Sequence, residues 1–586
     1  MTSASGRYVI VFNGEVYNFG ELRKDLEALG HSFRGHSDTE VMLEAMSEWG
    51  VEAAVKKFVG MFAFALWDKR ERVLHLVRDR LGIKPLYCGW QDKTFLFGSE
   101  LKALRAHPAF SPEINRGALA LYLRFGYIPY PYSIYQGIWK LPPGHILSLP
   151  AGAHPSSELS PTASYWSAKE VYETGAADPF RGSTPEAIEE LDRLLRQSIR
   201  LRMIADVPLG AFLSGGIDSS TVVALMQAQS HRPVKTFTIG FHEQKFNEAA
   251  HAKAVAAHLG TDHTELYVTP KQAMDVIPKL PTLYDEPFGD SSQIPTYLLS
   301  ALTRQYVTVS LSGDGGDELF GGYPRYVQTR KFWDIFRCFP HSSRNALAGL
   351  IRACKPATDS RLWGGLSPLL PRLAHPPAVG DRAHRLAEIM AARNPEEIYH
   401  NLMSYWRRPA EVVLGAKESP TILTQSSLWA HLPHVCPKLM FLDLVTYLPE
   451  DILAKVDRAS MGVSLEARVP ILDHKVVEFA ARISTSLKIR SGQAKWLLRQ
   501  VLYRYVPTRL IERPKMGFGI PLEDWLRGPL RDWAEGLLNP RRLRSEGFFR
   551  PEPIRECWAE HLSGQRNRQG HVWNVLMFQA WREKWA

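Results

Sequence analysis

The chain has 586 residues and is 45% hydrophobic, an ordinary composition for folded protein, and at roughly 150 residues per domain it predicts two to four domains. Its five cysteines (Cys88, Cys338, Cys354, Cys436 and Cys557) are scattered and form no CxxC pair, which argues against a disulfide framework or a cysteine zinc site and fits a reducing cytoplasm. The formal charge is +10, but basic residues lie beside acids with no long Lys/Arg block, residues 1–7 hold no apolar leader, and no run nears ~18 apolar residues, so neither nucleic-acid binding nor a membrane span is expected; anionic small substrates account equally well for the surplus.

Residues 8–12 read as a short buried strand ended by Asn13-Gly14. Leu22, Leu26 and Leu29 share one face of a predicted helix over 21–29. Strands are expected at 62–67 and 73–77, joined by the polar turn 68–72, and at 95–98. A stretch rich in small residues and proline, 150–161, reads as a linker. A second polar stretch, 175–185, leads into a helix with Thr184 as N-cap and Pro185 in its first turn. Ile188, Leu191, Leu195 and Ile199 mark its buried face. Strands at 207–213, 234–239 and 307–311 then alternate with helices at 220–229 and 248–259, as in an α/β domain with a parallel sheet. The remainder is mostly helical, with a proline-rich patch at 368–377. The expected organisation is a first domain over 1–150, a linker over 151–183 and a second domain over 184–586.

The first chemical signal is Ser214-Gly215-Gly216-Ile217-Asp218-Ser219, where an apolar strand gives way to two glycines and then a helix. Glycines let the backbone approach a ligand closely, and a helix N-terminus offers N–H groups and a positive dipole end, so the segment reads as a phosphate cradle. Its place beyond the carboxyl end of a strand is where α/β sheets bind ligands. It is neither a Walker A loop, a GxGxxG turn nor a nucleophile elbow. The plain alternative is an ordinary Gly-Gly turn. Against it stands Asp218, whose carboxylate opposes phosphate unless a cation lies between them, which implies Mg²⁺. SGGxDS resembles the pyrophosphate loop of the N-type ATP pyrophosphatases, which cleave ATP between its α and β phosphates and adenylate a substrate.

The second signal is Ser312-Gly313-Asp314-Gly315-Gly316-Asp317-Glu318, again at the end of a β-branched strand. Three carboxylates this close repel one another, and a cation or shared proton relieves that. The plain alternative is a solvated acidic turn. With this motif the chain resembles the glutamine-hydrolysing asparagine synthetase family. The resemblance runs nearly end to end, through Phe12-Asn13-Gly14-Glu15-Val16-Tyr17-Asn18, Arg78-Asp79-Arg80-Leu81-Gly82, Gly98-Ser99-Glu100-Leu101-Lys102 and Asp285-Glu286-Pro287-Phe288. It continues through Asp457-Arg458-Ala459-Ser460-Met461, Glu466-Ala467-Arg468-Val469-Pro470 and Arg513-Pro514-Lys515-Met516-Gly517-Phe518-Gly519.

The resemblance implies roles. Asp218 and Asp317 would hold Mg²⁺ on pyrophosphate. Leu213, Ser214, Gly215, Gly216, Ser219, Ile239, Ser312 and Gly313 would bind ATP. Asp314 would help form and use an acyl-adenylate, and Lys495 would neutralise developing phosphate charge, as a cation preorganised where charge builds does. Without the resemblance, Lys495 reads as a surface lysine on an amphipathic helix. The implied fold is an N-terminal-nucleophile glutaminase α/β sandwich, partial here, followed by an adenine nucleotide alpha hydrolase-like ATP-pyrophosphatase domain with a parallel sheet and a helical C-terminal part.

In the family the first domain begins with a cysteine that takes the amide of glutamine and releases ammonia to the second site. Here Asn13 and Gly14 match the oxyanion hole, and Glu15 and Asp38 match glutamine contacts, but the cysteine is absent and Asn13 lies near Met1. Thr2 is a poor substitute, because only ten residues separate it from Asn13. The expectation is a glutaminase domain shortened at its N-terminus, a Tyr8–Phe12 strand left partly uncovered, and amide formation from ammonium rather than glutamine. The expected ligands are aspartate, ATP, Mg²⁺ and ammonia or glutamine, in a cytoplasmic enzyme compatible with a homodimer. One rival is a related ligase acting on another carboxylate, such as a sugar acid or an antibiotic precursor. The other is a non-catalytic regulatory or scaffold protein, against which Asp218, Asp317 and Lys495 argue.

Overall fold

The computed structural model describes residues 1–156, 158–241, 248–353, 386–513 and 519–585. The proline-rich patch, Cys354 and the interior of the 513–519 motif lie outside the described residues.

The first half is built on eight strands: β1 (Tyr8–Val16), β2 (Gly60–Asp68), β3 (Val73–Arg78), β4 (Tyr87–Gln91), β5 (Thr94–Gly98), β6 (Ile138–Lys140), β7 (His145–Pro150) and β8 (Thr162–Ser164). They form an antiparallel sheet in the order β1-β2-β3-β7-β8 and a smaller one in the order β5-β4-β6. Strand alternation explains the layering. Tyr8, Ile10, Phe62, Phe64 and Leu66 point to one face, where Leu22, Leu26 and residues of the helix Asp38–Trp49 cover them. Ala63, Ala65, Leu76 and Leu147 point to the other, against Leu86, Cys88 and Leu141 of the small sheet's side.

The expected uncovering of the 8–12 strand holds for one residue and fails for two. Tyr8 and Ile10 are 2% exposed, whereas Val11 is 66% exposed. The cause is register. Val11 sits opposite Ala65, so it shares the face that packs on the small sheet, and that sheet's three strands cover Ala65 but do not reach Val11. The stretch read as a linker carries structure, with β8 pairing to β7 and a helix over Ala168–Ala177 packing on the helix His474–Arg482.

The second half is built on β9 (Leu209–Phe212), β10 (Lys235–Phe241), β11 (Asp262–Val268), β12 (Val309–Leu311) and β13 (Glu466–Arg468). All are parallel, in the order β11-β10-β9-β12-β13. Ser183, not Thr184, caps the long helix Thr184–Arg202: its hydroxyl accepts from the Glu186 N–H while the Glu186 carboxylate accepts from the Ser183 N–H, a reciprocal pairing that Thr184 cannot make from inside the helix. The helix after β9 begins at Ile217, earlier than the predicted 220, so Asp218 and Ser219 belong to its first turn.

Ion pairs and hydrogen bonds tie the halves together. Lys84 meets Asp457 at 2.8 Å; Arg458 reaches Glu100 at 3.0 Å and Asp285 at 3.2 Å, while Asp285 accepts from the Leu101 N–H at 2.9 Å. Lys140 lies between Glu286 (2.7 Å) and Glu450 (2.8 Å). Beside these last pairs is a cavity of about 50 Å³ lined by Tyr87, Tyr127, Lys140, Tyr284, Glu286 and Glu450, among others.

Candidate active site

The C-terminal ends of β9, β10 and β12 bring the predicted nucleotide residues together. Leu213 donates its N–H to Phe237 on β10 at 2.9 Å, beside Ile239, and both side chains are buried. Beyond Leu213 the chain turns through Gly215, whose φ of +70° suits glycine. The helix from Ile217 has no side-chain cap, so its first turn is open to an anion. Ser219 Oγ accepts from the Ser214 N–H at 3.1 Å and lies 2.9 Å from Ser214 Oγ, which itself accepts from the Gly216 N–H at 3.2 Å. These bonds fix the cradle.

The second loop packs directly on the first. A Cβ at Gly313 would stand 2.6 Å from the Ser219 nitrogen, and one at Gly316 would stand 2.2 Å from Asp218 Oδ1. The glycines of this loop are what let Asp218 and Asp317 meet. Between the two carboxylates sits the Lys495 ammonium, hydrogen-bonded to Asp218 and 2.7 Å from Asp317 Oδ1. Lys495 is 5% exposed. The reading of it as a surface lysine is therefore wrong. It precedes the helix Trp496–Leu502 rather than lying on it, with φ +55°, and its N–H is tied to the Phe320 carbonyl at 3.2 Å. Burial alone would depress this ammonium, but Asp218 and Asp317 hold it above its usual range.

Asp314 accepts a short hydrogen bond from the Ser312 hydroxyl. Burial pushes its carboxyl up, against that hydrogen bond and the nearby charge of Lys455. Glu318, to which the sequence reading assigned no role, is 1% exposed; burial, then Asp317 and Asp443, push it up to about 8, and the Tyr323 hydroxyl donates to it at 2.8 Å. Arg513 reaches the Ser214 carbonyl at 3.2 Å and Glu248 at 3.1 Å. A basic residue alone in a motif was the only sequence signal for that contact.

Among the described residues no group of three or more metal-ligating side chains occurs. Mg²⁺ is usually held by one or two carboxylates together with substrate phosphates. The Asp218–Asp317 pair fits that pattern, and the Lys495 ammonium between them shows that the spot accepts positive charge.

In the first half, Asn13, Gly14 and Glu15 follow one another along the end of β1. Asp38 joins them by accepting from the Val16 N–H at 3.0 Å. A Cβ at Gly14 would lie 2.0 Å from the Met61 carbonyl oxygen, so only glycine fits there. Asn13 Nδ2 donates to Ser99 Oγ at 3.0 Å. Ser99 has no histidine or carboxylate among its described hydrogen-bond partners, so nothing activates it as a nucleophile. Thr2 bridges Val9, four positions from Asn13 and so about 13 Å along the strand. Cys88 is buried, and burial pushes its thiol up to about 12. Burial, then Glu466, pushes the Glu15 carboxyl up to about 7, opposed by Arg468 of the other half at 3.4 Å.

A molecule of this kind, an antiparallel-sheet domain joined to a parallel-sheet domain with a glycine-rich strand-to-helix loop, belongs to the two-domain α/β class. The asparagine synthase family description matches residues 190–583, and the glutamine amidotransferase domain description matches residues 1–166. The chain is 31% identical over 576 residues to asparagine synthetase [glutamine-hydrolyzing] 1 of Bacillus subtilis (strain 168), covering 98% of this chain and 85% of that protein. It is 32% identical to a putative asparagine synthetase [glutamine-hydrolyzing] of Mycobacterium tuberculosis (strain ATCC 25618 / H37Rv), covering 99% and 84%. It is 26% identical to amidase chry2 of Gibberella zeae, covering 92% and 80%. The chain belongs to the asparagine synthase family.

Proposed function

We propose that the chain makes asparagine from aspartate and ATP through a β-aspartyl-AMP intermediate, with ammonia as the nitrogen that its second half uses. The observation that carries this reading is the convergence of Asp218, Asp317 and Lys495 beneath the Ser214–Ser219 cradle. In the proposed reaction the cradle and the helix N-terminus hold the β and γ phosphates. The β-carboxylate of aspartate attacks the α-phosphorus, a new O–P bond forms, and the α–β bridging bond breaks with its electron pair leaving on pyrophosphate. Lys495 stabilises the charge that builds there, as a preorganised cation does. Mg²⁺, held by Asp218 and Asp317, would supply further charge compensation on pyrophosphate. Ammonia then attacks the acyl carbon, AMP leaves, and the reading assigns Asp314 the role of taking the proton the nitrogen loses.

Cleaving the glutamine amide needs an attacking group as well as an oxyanion site. Asn13 and Gly14 supply the second, and nothing described beside them supplies the first. A cytoplasmic setting belongs to the same reading, supported by the four free cysteines described. The rival acceptor remains another carboxylate. The test incubates these 586 residues with ATP, Mg²⁺, aspartate and either ammonium chloride or glutamine, and measures AMP, pyrophosphate and asparagine. Asparagine is expected from ammonium and none from glutamine. Equal turnover on both would sink the ammonia reading, and turnover on a different carboxylate alone would sink the aspartate reading.

A further inference from the structure

Close to Asp314 lies a second pair of charges to which the steps above assign no work. Residues Leu448–Leu453 wind as a π-helix, a geometry that recurs where a helix must re-aim side chains at functional sites. This turn presents Glu450 to the cavity between the halves and brings Asp451 beside Lys455. Both are buried, at 5% and 8% exposure. Lys455 Nζ donates to Asp290 Oδ2 at 2.6 Å and stands 3.9 Å from Asp451 Oδ1. Among the described residues no other side chain or carbonyl accepts from its remaining N–H bonds, and Asp451 Oδ1 accepts no hydrogen bond at all. Asp290, which Lys455 and the Asp451 side chain both meet, also accepts from the Ser292 N–H at 2.9 Å and the Ser292 hydroxyl at 2.7 Å, so the capacity left in the pair is Asp451 Oδ1 and the remaining Lys455 N–H bonds. The charge of Lys455 reaches Asp314. A buried donor and a buried acceptor, each with capacity left, stand side by side next to the reacting centre. Leaving such groups unfilled is costly, and a ligand that fills both removes the cost.

We propose that Asp451 and Lys455 read the α-ammonium and α-carboxylate of the acceptor amino acid. The inference rests on the aspartate-adenylating reading and deepens it. An amino acid carries both charges on one carbon, so one spare carboxylate oxygen and one spare ammonium match them pairwise. The side-chain carboxylate is then left to extend towards Asp314 and the phosphates. Burial, then the charge of Asp290, raises the Asp451 carboxyl well above its usual range, and a substrate ammonium beside it would oppose that shift. The site thus selects a short α-amino dicarboxylic acid over a sugar acid, which offers no ammonium.

The experiment is ATP–pyrophosphate exchange without any nitrogen donor, so that only adenylation is read. Aspartate is compared with succinate, which lacks the α-ammonium, and with β-alanine, which lacks the α-carboxylate, each as substrate or as competitive inhibitor. Asp451→Asn should raise KM for aspartate at least about 30-fold while leaving KM for ATP and the succinate constant within about twofold. Lys455→Gln should penalise aspartate and succinate and spare β-alanine. Because the signature is a ratio between ligands, it does not depend on how much of a variant folds; should Asp451→Asn not accumulate, Asp451→Glu carries the same aspartate-to-succinate comparison. Equal losses on all three ligands would assign the pair a structural role and overturn the proposal. An unchanged KM for aspartate with a raised KM for ammonium in the complete reaction would overturn it in favour of a nitrogen site. Wild-type exchange with another carboxylate but none with aspartate would instead bring down the aspartate reading itself.

Discussion

In the ATP half, two loops from different strand ends bring Asp218, Asp314 and Asp317 around one buried ammonium, and the sheet beneath them is paired on both sides at β9, β10 and β12. In the N-terminal half, Asn13, Gly14 and Glu15 lie on an edge strand with Asp38 of the following helix beside them, and Arg468 of the other half pairs with Glu15 at 3.4 Å. On the proposed reading, one site holds binding and reacting groups together. The other holds binding groups alone among the described residues. Recognition and chemistry are therefore separable in this fold, and substitutions in the two halves should fail differently.

The largest effect is expected in the ATP half. Asp218→Asn and Asp317→Asn should each lower pyrophosphate release by about a thousandfold or more, because the phosphate charge loses its counter-charge. Circular dichroism and melting temperature should change little. Normal ATP turnover by either variant would refute the metal assignment. Lys495→Ala should follow, with a loss of about 10²- to 10³-fold in kcat. It should not unfold the protein, since the two carboxylates it leaves can still bind Mg²⁺. An unchanged rate would return Lys495 to a purely structural role. By contrast, Glu15→Gln should leave ammonium-dependent kcat within about twofold, because the proposed ammonium reaction runs in the other half.

How much of this was legible in the sequence follows from the range of each interaction. The cradle and the acidic loop are contiguous, so their glycines and carboxylates announce themselves. The role of Lys495 came only through the resemblance, and its burial between Asp218 and Asp317 depends on contacts across more than a hundred residues, which no local pattern encodes. The same holds for Lys84–Asp457, Arg458–Asp285 and Lys140–Glu286. Several family motifs with no evident chemistry are the struts between the halves. Strand positions were legible where alternation was strong, as at β2 and β3. The three-residue strands β6, β8 and β13 carry too few positions to show a period and were not, and neither were the longer β4, β7 and β11.

Two buried lysines seven positions apart sharpen the contrast between paired and unpaired charge. Lys495 is raised by two carboxylates. Lys488, 3% exposed and lying 5.9 Å from the centre of the Tyr172 ring, is pushed down to about 7 by burial. Below pH 7 the folded state must carry that buried charge, so the penalty is full. Between 7 and the ordinary value of 10.5 the folded lysine is neutral while the unfolded one is still charged, so the penalty shrinks as pH rises. Lys488→Met should therefore stabilise the protein by on the order of 3 kcal/mol at pH 7. The gain should be smaller at pH 9.5, and chemical denaturation at the two pH values measures both. A gain independent of pH would mean that Lys488 is not charged when the chain unfolds or is paired when it is folded.

The smallest effect belongs to the edge of the N-terminal sheet. Ile10 and Val11 are neighbours with opposite fates, because β1 alternates its side chains between a face covered by helices and a face that the three-stranded sheet does not reach. Ile10→Ala removes packed methylenes and should cost about 2–5 kcal/mol. Val11→Thr keeps the branched shape, exposes a hydroxyl to water at a site already 66% open, and should change stability by no more than about 0.5 kcal/mol. Urea unfolding of the two variants, followed by Trp49 and Trp67 fluorescence in that half, gives both numbers. A loss above about 1.5 kcal/mol for Val11→Thr would show that the outer face of β1 is covered in solution. The N-terminal site would then be more enclosed than its edge-strand position implies, and the separation drawn between the two halves would have to be narrowed.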